Sequence, residues 1–139
     1  MTITDDNYFD HEADIGIIGR GQTIEKAFVN AAEALFAIMI DNLNAIQKKA
    51  SVNIHFTESD SEIALVIWLN LLVGEARAHN LIFGHFTLTH KNNDWHGEAF
   101  GEPWHDQMIR GTEVKGATLT MLSVRVKNGI WEARCVVDV

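Results

Sequence analysis

The chain has one cysteine, one proline, few basic residues and no long unbroken apolar run, and each shortage removes a class of explanation. Cys135 alone cannot form an internal disulfide, so stability has to come from a hydrophobic core. One proline and ten glycines leave no stretch with the composition of a disordered linker, and there are no repeats or low-complexity tracts. Eleven Lys and Arg against nineteen Asp and Glu give a formal charge of −8 at pH 7, which disfavours independent nucleic-acid binding because phosphate backbones are repelled. An acidic surface suits a basic protein partner as well as plain solubility. The longest apolar run, Ile63 to Val73, is interrupted by Asn70 and is about half the length needed to span a bilayer. The opening Met1-Thr-Ile-Thr-Asp-Asp lacks the basic and apolar regions of a secretory signal, and with the single cysteine this points to the cytoplasm.

What is present fits a single domain over residues 1–139, long enough to bury roughly two-thirds of its unfolded surface. Ile15 to Ile18 reads as a short strand ending at Gly19-Arg20-Gly21, and Thr23 is placed to cap a helix. Ile24, Ala27, Phe28, Ala31, Leu35, Ile38 and Met39 then recur at helical spacing along one stripe. Residues 51–57 alternate Val52, Ile54 and Phe56 with polar residues, the mark of a strand with His55 facing water. Ser59 and Glu62 have capping-box spacing, and the helix they introduce, through Ala78, is apolar on nearly every side, so it belongs in the middle of the domain. Leu81 to His90 and Trp95 to Phe100 flank a polar turn, and residues 101–112 read as a loop. Val114 to Lys127 and Ile130 to Val139 flank Asn128-Gly129, a strong hairpin signal. The expected fold is therefore α+β, a layered sandwich in the order β-α-β-α-β-β-β-β, with two helices packed against or between mostly antiparallel sheets. A two-residue turn at Asn128-Gly129 sets Arg125 opposite Glu132 and Leu119 opposite Asp138, which places Asp138 on a mostly apolar face.

The chemistry-bearing residues are sparse. His11-Glu12-Ala13-Asp14 precedes the first predicted strand, and Asp138 is next to last. Two carboxylates with carbonyls and water are hard oxygen ligands suited to Ca²⁺, Mg²⁺ or Mn²⁺, yet aspartates at chain ends also cap turns or meet solvent. No calcium loop, His-Glu-x-x-His pair, Cys-x-x-Cys, P-loop or dinucleotide fingerprint accompanies them. His11 and His105 lie in loops beside acidic residues, where a ligand or proton-transfer role competes with simple hydrogen bonding. An inward Lys115 would hold a phosphate or neutralise carboxylates; an outward one would guard a strand edge.

The combined motifs resemble the archease family, whose members are protein cofactors of RtcB-type RNA ligases. The resemblance rests on Tyr8-Phe9-Asp10-His11-Glu12-Ala13-Asp14-Ile15-Gly16, Ala27-Phe28 with Ala31-Ala32, Trp68-Leu69-Asn70, Gly101-Glu102, Glu113-Val114-Lys115 and Val137-Asp138-Val139, in that order along nearly the whole chain. It implies a divalent-ion site, for Ca²⁺ or else Mg²⁺ or Mn²⁺, formed by Asp14, Asp138 and the main-chain carbonyl of Val139. It also implies a functional role for Lys115 in assisting the partner. The implied activity is activation rather than catalysis: promoting GTP-dependent guanylylation of an RtcB-type RNA ligase and its turnover in tRNA splicing or RNA repair. Glu12 stands where the family usually has threonine, adding an anion beside the site, and Gly116 where it usually has alanine, loosening the backbone next to Lys115. His105 matches the family's loop histidine only approximately. Two alternatives stand beside this expectation: a free-standing metal-dependent phosphatase or nuclease using Asp14, Asp138 and His11 or His105, and a general chaperone or assembly factor.

Overall fold

A computed structural model describes residues 3–139, so the first two residues of the opening segment lie outside it. The chain forms β1 (Tyr8–His11), β2 (Asp14–Gly21), α1 (Ile24–Met39), β3 (Ala50–Thr57), α2 (Ser61–His79), β4 (Leu81–Lys91), β5 (Asp94–Pro103), β6 (Gly116–Ala117), β7 (Ser123–Lys127) and β8 (Ile130–Asp138). Every strand pairing is antiparallel. One sheet has five strands, β1-β2-β8-β6 with β7 also on β8; the other has three, β3-β5-β4. Both helices touch strands of both sheets, so they form the filling of the expected sandwich.

The helices take these positions for legible reasons. Thr23 accepts the Lys26 N–H and starts α1, whose Ala27, Phe28, Ala31 and Leu35 are wholly buried. Small residues let α1 approach β2 closely: a Cβ on Gly19 would fall 2.3 Å from the Ala27 oxygen. Helix α2 buries Leu65, Trp68, Leu69 and Leu72 completely, and the Trp68 indole donates to the Phe28 carbonyl at 3.0 Å, tying the two helices together. Its cap is Asp60, one residue later than the predicted Ser59; the carboxylate accepts the N–H groups of Glu62 and Ile63. No helix among the described residues is long and apolar enough to cross a membrane.

Three details differ from the sequence expectation. An extra strand, β1, precedes β2 through a tight turn in which Glu12 has φ 54°, a conformation for which glutamate carries no sequence signal. Strand β5 runs on through Gly101, Glu102 and Pro103, where a loop was expected. The stretch Val114 to Lys127 is not continuous: β6 and β7 are separated by residues 118–122, where Thr118 N–H donates to the Val136 carbonyl and Val136 N–H to the Thr120 carbonyl, both at 3.0 Å. Leu119 is thereby extruded. Near the hairpin the expected register holds, with Arg125 opposite Glu132, but beyond the break Asp138 faces Gly116 and not Leu119. Asp138 is exposed, so the expected cost of burying it on an apolar face does not arise.

Candidate functional site

The two ends of the chain meet at one end of the five-stranded sheet. Strands β2 and β8 pair from Gly21 opposite Trp131 to Ile15 opposite Val137, and one further step brings Asp14 beside Asp138. Strand β1 adds His11 opposite Asp14, and β6 adds Gly116 opposite Asp138. Residues directly opposite in antiparallel strands share a face, so His11, Asp14, Asp138 and Gly116 form one cross-strand row. The Val139 N–H donates to Asp14 Oδ1 at 3.2 Å, and the Lys115 N–H donates to the Asp138 carbonyl at 2.8 Å. All four residues implied by the resemblance, Asp14, Lys115, Asp138 and Val139, thus come together from three separated segments.

Asn70 braces this corner from α2. Its Oδ1 accepts the Ala117 N–H at 2.8 Å and its Nδ2 donates to the Ala117 carbonyl at 3.2 Å. The polar break in the apolar run of α2 was the signal for this residue, but its partner is 47 positions away and not legible from sequence. Gly116 is consequently not loose: it sits in a short strand without a positive φ, and a Cβ there would lie 2.9 Å from Asn70 Oδ1.

Asp14 and Val139 are half-buried, and Asp138 and Lys115 are exposed. The inward lysine considered above is therefore not found. The ion pairs among the described residues all lie elsewhere, so neither aspartate has a cationic side chain within 4.0 Å. Neighbouring carboxylates without a cation repel each other, and the donors present, two carboxylates and a main-chain carbonyl, are hard oxygens that fit Ca²⁺, Mg²⁺ or Mn²⁺. Among the described residues no three His, Cys, Asp or Glu side chains converge on a common point, so His11 stands beside Asp14 in the ladder without completing a ligand set. A cation here would need water or partner oxygens for its remaining positions.

His105 belongs to a different place. On the three-stranded sheet, the buried Glu102 accepts the Gln47 N–H at 2.8 Å and has Lys49 Nζ at 3.7 Å and His105 Nε2 at 3.5 Å. This cluster pins the 46–49 segment and the 104–107 loop to the end of β5, which is a structural task. His105 is not brought to Asp14 or Asp138.

A family model described as the Archease protein family (MTH1598/TM1083) matches residues 7–139. The chain belongs to the archease family. It is 36% identical to Protein archease of Sulfolobus acidocaldarius over 135 residues, covering 95% of this chain and 96% of the relative. It is 33% identical to Protein archease of Pyrococcus furiosus over 138 residues, covering 95% and 96% of the two chains. The solution structure of Methanobacterium thermoautotrophicum protein 1598 is similar with a TM-score of 0.79 and 27% identity, over 96% of this chain and 97% of that one. A crystal structure from Thermotoga maritima, described as an archease and possible chaperone, shares the archease fold with a TM-score of 0.66 at 16% identity, over 94% of each chain. The family resemblance expected from the sequence is therefore borne out, and so is the α+β sandwich.

Proposed function

We propose that this archease-family protein activates an RtcB-type RNA ligase, promoting GTP-dependent guanylylation of the ligase and its turnover in tRNA splicing or RNA repair. The observation that carries the reading is the convergence of Asp14, Asp138, Val139 and Lys115 at one exposed corner, with carboxylates that have no cationic partner within 4.0 Å among the described residues. A working site for another protein's chemistry has to be presented outward, and this one is. Asp14, Asp138 and the Val139 carbonyl are the groups that would hold a divalent ion, here taken as Ca²⁺ with Mg²⁺ and Mn²⁺ as substitutes. When bound, such an ion supplies positive charge against nucleotide phosphate oxygens. Lys115, exposed and next to the pair, is assigned to phosphate contact at the partner's site. The incomplete ligand set fits an ion shared with the partner.

The test is guanylylation of a cognate ligase with and without the protein, across titrations of GTP and divalent ion. Stimulation that depends on the ion and falls at least about tenfold with Asp14→Asn or Asp138→Asn is expected, a loss of roughly 1.4 kcal/mol or more in barrier lowering. Phosphatase or nuclease turnover without any ligase would support a free-standing hydrolase instead, and stimulation indifferent to both substitutions would support a chaperone or assembly role.

A further inference from the structure

A cavity of about 290 Å³, not lined by Asp14, Asp138 or Lys115, lies between the last turns of α2 and the 104–114 loop. Its floor is apolar, made by Met39, Val73, Ala76, Leu81 and Val114. Two guanidiniums border it. That of Arg110 lies over the Trp104 indole, 4.0 Å from the ring centroid, and that of Arg77 reaches Glu113 through one contact of 3.8 Å between largely exposed groups. Arg110 has no carboxylate within 4.0 Å among the described residues, so its fork of N–H donors is free to take an anion.

The wall carrying Arg110 is built in advance. Gly111 N–H donates to the Met39 carbonyl at 2.9 Å, Thr112 N–H to the Ile38 carbonyl at 2.8 Å, and Asp41 N–H to the Ile109 carbonyl at 2.9 Å. Gly111 is required by this contact, because a Cβ there would fall 2.2 Å from the Ile38 oxygen. A preformed hollow with an apolar floor and a few placed polar groups has the general form of a small-molecule site. Two arginines against one carboxylate, Glu113, in the lining of one such hollow stand out in a chain of net charge −8.

We propose that this cavity binds a small planar anion, an aromatic or heteroaromatic ring carrying a phosphate or carboxylate. The ring lies on the apolar floor against the Trp104–Arg110 stack, and the anionic group takes the N–H forks of Arg110 and Arg77, displacing the long contact to Glu113. The volume suits one or two fused rings and is small for anything larger. The proposal is independent of the ligase reading and of any metal at Asp14 and Asp138.

The test is an amide and indole N–H NMR titration of the full chain with four probes: AMP, indole-3-acetate, adenosine and inorganic phosphate. Saturable shifts at the Trp104 indole and the Gly111 amide are expected with AMP or indole-3-acetate, and the tighter of the two identifies the preferred anion. Adenosine and phosphate alone should bind at least about tenfold more weakly, and Arg77→Gln and Arg110→Ala should each weaken the ring-bearing anion about tenfold while leaving the other amide shifts in place. No saturable shift with either ring-bearing anion would overturn the proposal. So would adenosine binding as tightly as AMP, or affinity retained in both arginine variants.

Discussion

Asn70 carries more of the candidate site than its exposure suggests. Two hydrogen bonds to Ala117 hold a strand of only two residues, Gly116–Ala117, against β8. Replacing Asn70 with Ala removes both, at about 0.5–1.5 kcal/mol each when made, so a loss of about 1–2 kcal/mol in a urea titration is expected. Amide exchange at Lys115 and Ala117 should accelerate in the same variant; unchanged exchange would mean that β8 alone holds this edge. Cys135 sits at the other extreme, wholly buried, with burial pushing its thiol up to about 12. It should resist a thiol reagent at pH 8 in the folded chain and react on unfolding; rapid reaction in the native state would contradict this burial. The sequence presented Asp14 and Asp138 as two lone carboxylates near the ends of the chain. Their adjacency entered only through the family resemblance, because spacing does not show the β2–β8 register; the pairing of Asp138 with Gly116 was hidden as well, by a break at residues 118–122 that reads as ordinary alternating strand. The positive φ of 54° at Met121 sits on a residue with no turn signature.

Among the elements, the helices were the most legible and the short strands the least. The stripe of α1 and the all-round apolarity of α2 follow directly from burial between two sheets, whereas β1 joins β2 through a turn whose two central residues, Glu12 and Ala13, are neither Asn, Asp nor Gly. The centrality of α2 makes Trp68 the element's most costly side chain to lose. Trp68→Ala removes a wholly buried indole and its bond to Phe28, and a destabilisation of about 3–5 kcal/mol is expected in denaturant unfolding. The β1–α1 contact gives a pH signature. Tyr8 donates its hydroxyl to the Ala34 carbonyl at 2.8 Å, and burial pushes its pKa up from 10.0 to about 12. The folded chain therefore keeps this proton where the unfolded chain releases it. Its contribution is fully present below about pH 10 and is lost as the pH rises through about 12. Tyr8→Phe should flatten that part of the decline in urea midpoint, leaving the decline that Cys135 contributes from the ordinary thiol range upward.

At the scale of the whole molecule, the sandwich joins residues from both ends of the chain and from its β6 edge at one outward corner, and places a separate arginine-bordered cavity near the end of α2. Nothing in the apolar core requires Asp14 or Asp138: one is half-buried and the other exposed, and among the described residues the only side-chain hydrogen bond made by either is that of Asp14 to the Val139 N–H. Their neutral isosteres should therefore fold normally, which separates loss of function from loss of structure. The most direct measurement is single-turnover guanylylation of a cognate RtcB-type ligase in the presence of the wild-type protein or the Asp14→Asn, Asp138→Asn double variant, at fixed GTP and divalent ion. Stimulation by the wild type, and none by a double variant whose unfolding midpoint is unchanged, is the predicted result. Equal stimulation by the two proteins would contradict the assignment of this corner as the working end.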